Sequence, residues 1–423
     1  MGLLRAGLRL LNRKPKLDDY FNQISSEYVT YFEEMHKKPG LAFEEHTERK
    51  IIKDKLSALG VSFSEVAGGI IASIEGETNK SGRIIGLTTD MDALPIVENP
   101  DGKTVVSEHH GVSHMCGHDG HAVSLLMAAD YLHHTRNFDG TARLIWRPAE
   151  ETGEGALAMI NSGVLDEFPI DEIYSYHNYP KFPLGFGAVS EGAVLCAAQD
   201  FKITIRGKGG HAGWPDIARK DQALFKMSGF LQEHWKDVKK RGSIFIRSGQ
   251  TIRENRVLVN ISGVSGNSKA GNVLSDIVEC HGTIRALSQE MIDKGLDGLC
   301  ATWAAANPKD KASFTLEKTG LYVPPVINNA EQTAVAREAM RDVLGQFQKA
   351  QKMPPVTGGD DYCHFSARVP GCYFALTGGD LDLDHPHSKA LHDDNYSYNP
   401  ELLPIAANVL SRIIERRLPG LDV

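Results

Sequence analysis

Apolar positions recur at helical spacing over residues 17–36 and again over 44–59. Lys38-Pro39-Gly40 separates the two runs, so the spacing predicts two helices. Short isoleucine-rich runs at 70–75 and 83–88 predict strands, joined by a polar turn containing Gly76 and Gly82. A helix-periodic run over 121–134 follows, carried by Val123, Leu125, Leu126, Ala129 and Leu132. Then come a strand over 141–146, a small-residue helix over 156–160 and a strand over 173–176 that ends at His177. Strand alternating with helix predicts an α/β fold with a mainly parallel sheet. Ligands collect outside the carboxyl ends of such strands.

Near residue 198 the pattern changes. Phe201-Lys202-Ile203-Thr204-Ile205-Arg206 alternates apolar and polar, as a half-solvated strand does. A helix over 221–235, alternating strands at 257–261 and 276–284, a helix over 289–304 and a strand over 313–318 complete the segment. This order is the split βαβ plan. Residues 198–320 therefore read as an inserted α+β domain, between catalytic-domain segments 1–197 and 321–423. In the second segment the first pattern returns: a helix over 330–344, a strand over 372–376, a long polar loop over 378–399 and an amphipathic helix over 401–416.

A length of 423 residues agrees with more than one domain. The net charge of −8 argues against a nucleic-acid partner. No apolar run approaches the roughly 18 to 20 residues of a membrane span. The six cysteines are scattered without paired spacing, which favours a reducing compartment and a cytoplasmic location. Residues 1–16 hold five basic and no acidic side chains, with Leu4, Leu8 and Leu11 on one helical face and Arg5, Arg9 and Arg13 opposite. They read as a basic arm, with a mitochondrial presequence or membrane-surface helix as the alternative.

Chemistry concentrates in Ser113-His114-Met115-Cys116-Gly117-His118-Asp119-Gly120-His121, a loop that opens a helix. Three readings fit: a polar cap built on Asp119, a Cys116 thiolate nucleophile with a histidine base, or Cys116 and His118 as ligands of a first-row metal. Other polar residues stand at predicted strand ends. Asp90 and Asp92 follow one strand, Glu150 and Glu151 another, and His177 a third. Adjacent glutamates diverge, which suits one to a metal and the other to general-base work. Asp360 and Asp361 could be ligands or acceptors, and Asp361 could equally cap a helix. The loop histidines His385, His387 and His392 cannot be told apart by composition. Gly207 to Pro215 forms a glycine-rich turn that presents His211.

Taken together, HMCGHDGH (114–121), DMDALP (90–95), RPAEE (147–151), His177, GKGGHA (207–212) and LHDDNYSYNPELLPI (391–405) resemble a known family. It is the metal-dependent amidohydrolases of N-acyl amino acids, of the hippurate hydrolase, indole-acetyl-amino-acid hydrolase and N-acetyl-diaminopimelate deacetylase type. Aminoacylase and carboxypeptidase G are distant relatives. The resemblance runs from about residue 20 to the end. It implies that Cys116, His118, Glu151, His177 and His392 ligate two divalent metals, with Cys116 as the bridge. Zinc or manganese is expected, with cobalt or nickel able to substitute in vitro. By the same resemblance Glu150 is the general base and Asp92 orients a ligand. His211 contacts the substrate carboxylate or the oxyanion, often across a homodimer formed through the inserted lid domain, and Asn272 and Arg285 help form the carboxylate pocket. The implied reaction is hydrolysis of a small N-acyl amino acid to a carboxylic acid and a free amino acid. A dipeptidase or carboxypeptidase is the alternative substrate class, and a metal-binding relative without activity a remoter one. The chain departs from the family pattern at Met115 (usually alanine), Trp214, Ser275 (usually proline) and Asp360 (usually glutamate).

Overall fold

The structure, a computed structural model, describes residues 18–213, 219–240, 256–310, 312–345 and 352–420. The expectations for residues 1–16 and Trp214 lie outside them. The chain forms two compact units, one of residues 1–192, 327–353 and 360–423, the other of residues 193–326 and 354–359.

A seven-stranded sheet organises the first unit. Its order is Phe63–Val66, Gly69–Glu75, Thr141–Arg147, Ile84–Asp90, Glu172–Pro183, Gly371–Gly379, Gly187–Ala188. The four strands from Thr141–Arg147 to Gly371–Gly379 run parallel, and the flanking strands are antiparallel. Every residue of Thr141–Arg147 and of Gly371–Gly379 is buried. That is why these inner strands read as continuous rather than alternating apolar runs. Gly69–Glu75 and Ile84–Asp90 follow one another in the chain but do not pair, because Thr141–Arg147 lies between them.

Two details differ from the expectation. Phe63–Val66 is an additional edge strand, too short and too exposed to leave a pattern. The strand expected to end at His177 continues to Pro183. Its polar second half reads as loop, yet Gly371–Gly379 pairs with it in register, Ala375 opposite His177. His177 therefore lies inside a strand.

The helix His118–Thr135 is buried continuously from His118 to Leu132, and it packs against Asp19–Lys37, His46–Leu59 and Leu402–Arg417. A helix covered on all sides need not be amphipathic. This burial fixes its first turn, where the chemistry of the nonapeptide lies.

In the second unit the four strands form one antiparallel sheet in the order Val257–Gly266, Ile277–Ala286, Ala197–Arg206, Phe314–Val323. Phe201, Ile203 and Ile205 pack with Met227, Phe230 and Trp303 of the helices Ala223–Lys240 and Gln289–Ala306. On the opposite face Lys202 pairs with Glu279 and Glu317 in solvent. Half-buried strands alternate for this reason. Among the described residues no helix is long and apolar enough to cross a membrane.

Candidate active site

Two glycines let the nonapeptide fold against its neighbours. Gly117 is left-handed, with φ 93°, and caps the helix with no side-chain bond. A Cβ there would lie 2.9 Å from Tyr398, and one at Gly120 would lie 2.4 Å from the same ring. Asp119 is not the cap, contrary to the first of the three readings. Its carboxylate is buried and faces His36 Nδ1 at 2.7 Å.

The residues flanking this turn meet others from distant strands and loops. Donor atoms of Cys116, His118 and His177 lie within 4.8 Å of one another, and so do those of Cys116, Glu151 and His392. Cys116 belongs to both groups. Its Sγ is 3.5 Å from His177 Nε2, and His392 Nε2 is 3.4 Å from Glu151 Oε1. His118 Nε2 stands 3.9 Å from both Glu150 and Glu151. His118 Nε2 and Glu151 Oε1 are buried and make no hydrogen bond. A thiol, three imidazoles and a carboxylate in this arrangement fit two first-row divalent cations, one in each group of three.

The ring atoms on the far side of these donors are held. His118 Nδ1 faces Asp92 at 3.2 Å and the Asp92 carbonyl at 3.0 Å, and Asp92 Oδ2 accepts from Glu151 N at 3.0 Å. His177 Nδ1 is 2.9 Å from the Asn178 carbonyl. His121 lies between Asp90 (2.6 Å) and the Asn178 side chain (2.7 Å). For His118 and His177 such partners fix tautomer and orientation and leave the opposite nitrogen for a metal, whereas both ring nitrogens of His121 are taken.

Beneath Glu150 lies a group that the sequence reading passed over. Arg147 is fully buried and donates to Asp90 (3.2 Å), Asp360 (3.0 Å) and Asp361 (2.5 Å). Asp361 also accepts from Ala156 N at 2.6 Å, at the start of the helix Gly155–Asn161. Asp360 and Asp361 thus serve as acceptors for Arg147, and Asp361 caps as well. The signal that could have found Arg147 was its place at the end of a buried strand that no lone cation would occupy.

Burial and neighbouring carboxylates together raise two acidic groups of the site, Cys116 and Glu150. Burial, then Glu151, push the Cys116 thiol well above its usual range. Burial, then Asp360 and Glu151, do the same to Glu150. Burial and then His121 lower His177 to about 4, so its imidazole is neutral. Burial thus works against the Cys116 thiolate that a cysteine nucleophile requires, although His118 beside it pulls the other way. A divalent cation would reverse the pressure on the thiol and the carboxylates together.

The remaining candidates belong to the second unit. His211 pairs with Val273 across a short two-stranded ladder, and Ala212 N donates to the Asn272 carbonyl at 2.9 Å. Arg285 is the penultimate residue of the strand Ile277–Ala286 and donates to the Thr357 carbonyl at 3.2 Å. Outside it, in the first unit, the rings of His385 and His387 lie 4.5 Å apart at a tilt of 52°, and His387 Nδ1 faces the Ser397 carbonyl at 3.0 Å. Neither belongs to the groups formed around Cys116.

Comparison with known proteins agrees with this geometry. The model of peptidase family M20/M25/M40 matches residues 86–416. A hippurate hydrolase of Campylobacter jejuni is 28% identical over 407 residues, covering 92% of this chain and 96% of that protein. IAA-amino acid hydrolase ILR1-like 2 of Arabidopsis thaliana is 32% identical, over 89% of this chain and 81% of the relative. A solved structure of a dinuclear metal-binding M20 peptidase from Bacillus subtilis has the same fold. Its TM-score is 0.77 at 23% identity, over 96% of this chain and 100% of that one. The chain belongs to peptidase family M20/M25/M40.

Proposed function

We propose that this chain hydrolyses the amide bond of N-acyl amino acids, releasing a carboxylic acid and a free amino acid. The observation that carries the reading is the pair of donor groups that share Cys116, with Glu150 alongside. Cys116, His118 and His177 would hold one divalent metal, and Cys116, Glu151 and His392 a second, zinc or manganese by donor type. Metals there supply Lewis acidity, which acidifies water and polarises a carbonyl.

Glu150 takes the proton of the attacking water and returns it to the leaving amine. Burial, then Asp360 and Glu151 beside it, favour the protonated form of its carboxyl, which assists the uptake of the water's proton. Asp92 orients His118 and steadies the Glu151 backbone. His211, Asn272 and Arg285 bind the substrate carboxylate or the oxyanion. The ladder that keeps residues 210–212 beside 272–274 supports that grouping. The second unit acts as a lid and as the contact of a homodimer. Free cysteines at all six positions suit a reducing compartment such as the cytoplasm.

The test is a metal-reconstituted assay on N-acetyl, N-benzoyl, N-indoleacetyl and longer N-acyl amino acids, with dipeptides as controls. Turnover confined to dipeptides would replace the reading with a peptidase, and no turnover at all would favour a binding protein. Within an active enzyme, Glu150→Gln should lower kcat about 10²- to 10⁴-fold with metal content unchanged.

A further inference from the structure

Lys103 lies outside every motif of the sequence, yet its side chain is 0% exposed. Its ammonium is 2.8 Å from Glu98 Oε1, 3.3 Å from the Asp394 carbonyl and 3.9 Å from Met115 Sδ. Each contact leads to a different part of the candidate site. Met115 precedes Cys116, and Asp394 is two residues beyond His392. Glu98 receives His36 Nε2 at 3.1 Å, and the other nitrogen of His36 faces Asp119, next to His118.

His392 most needs such a support. Its side chain is 51% exposed, where the other four donor residues are buried or nearly so. Its backbone is left-handed, with φ 67°, a conformation that costs a non-glycine residue about 1 kcal/mol or more and persists only where the surroundings enforce it. Three hydrogen bonds hold this loop in place. His392 N donates to the Met115 carbonyl at 2.8 Å, Asn99 N to Asp394 at 2.9 Å, and Asn395 Nδ2 to Asp101 at 2.8 Å. Lys103 joins the segments that make these bonds.

We infer that Lys103 is a positioning residue whose buried ammonium fixes the His392 loop against Met115–Cys116 and so sets the affinity of one of the two metal positions. The inference rests on the dinuclear reading of the site. It assigns Lys103 to the Cys116–Glu151–His392 position, while Cys116–His118–His177 draws on none of its direct contacts except Met115.

Zinc binding to the full chain, measured by equilibrium dialysis with metal analysis, tests this. Wild type should take two zinc ions. Lys103→Met keeps length and apolar bulk and removes the charge. It should bind one ion with unchanged affinity and the other about 10-fold to 100-fold more weakly. Lys103→Arg should recover part of the loss. With cobalt, the thiolate charge-transfer band from Cys116 should persist in Lys103→Met. Asn395→Ala, at a half-exposed position, should weaken the same ion in the same direction, and it serves as the test if Lys103→Met does not fold. Wild type binding fewer than two ions would overturn the dinuclear reading and this inference with it. Wild type binding two, with both affinities unchanged or equally weakened in the variants, would overturn the role of Lys103 alone.

Discussion

Replacing Arg147 with methionine removes a cation that faces Asp90, Asp360 and Asp361 together. The side chains concerned are no more than 2% exposed, so water cannot take over the lost bonds. Breaking a buried pair from one side costs about 3–5 kcal/mol, since the remaining charge stays buried. Three carboxylates do not triple that figure, because one can take up a proton instead. Asp361 is the candidate, already pushed up to about 7 by burial against the pull of Arg147. The expected loss is therefore about 4 kcal/mol, a large share of the roughly 5–15 kcal/mol that holds a typical domain together. Urea titration followed by circular dichroism would measure it, at fixed metal concentration because bound metal adds its own stabilisation. Arg147→Met/Asp361→Asn should regain about 1 kcal/mol, as Asp361 no longer has to take up a proton while Ala156 N keeps an acceptor. A single variant that loses less than about 1 kcal/mol would refute the premise that these carboxylates depend on Arg147.

Gly120→Ala places a methyl group 2.4 Å from the Tyr398 ring and should cost about 1–3 kcal/mol by overpacking, seen as a lowered midpoint in the same titration. Cys116→Ser should lose metal and at least about 100-fold in activity, since one donor serves both groups. Chelation should silence the wild type until zinc or manganese returns, whereas activity that persists in chelator would restore the cysteine-nucleophile alternative. Asp130 accepts from Tyr20 (2.7 Å), Tyr28 (2.6 Å) and Lys55 (3.1 Å), well away from the metal ligands. Burial raises its pKa, but Tyr28, Tyr20 and Lys55 outweigh this and hold it below the usual range. A depressed carboxylate contributes stability that is present above about pH 4 and lost as pH falls through the folded value. The stability gap between wild type and Asp130→Asn should accordingly be constant near neutrality and narrow in acid, and a gap that widened there would contradict this.

The sequence showed most where the backbone had least freedom. Gly117 and Gly120 mark a turn that only small residues allow, and Cys116 and His118 stand beside them. Glu150 and Glu151 follow one inner strand of a parallel sheet and His177 lies within another, so the alternation of strand and helix already implied that they meet. His392 was different. Nothing local separates it from His385 and His387, and only the match over 391–405 singled it out. The left-handed backbone at His392 and its bond to Met115 belong to tertiary structure. Arg147 and the chain from Lys103 through Glu98 and His36 to Asp119 were missed for the same reason. Each joins segments far apart in sequence, and a charged residue gives no local sign that it is buried. The additional length of the strand after His177 depends likewise on a partner almost 200 residues later.

That late partner also orders assembly in time. Chains emerge from the ribosome amino end first. Cys116, His118 and His177 are therefore made long before the strand Gly371–Gly379 and His392, with the whole second unit produced in between. Until the late strand arrives, Glu172–Pro183 has an open edge on one side, the kind of edge that invites wrong pairing. The segment that closes this edge also leads directly into the loop that brings His392. Completion of the sheet and completion of the second donor group are thus a single late event, after the second unit has been made. A nascent chain can gather the first group of donors early, but it cannot become a finished hydrolase before its sheet is closed.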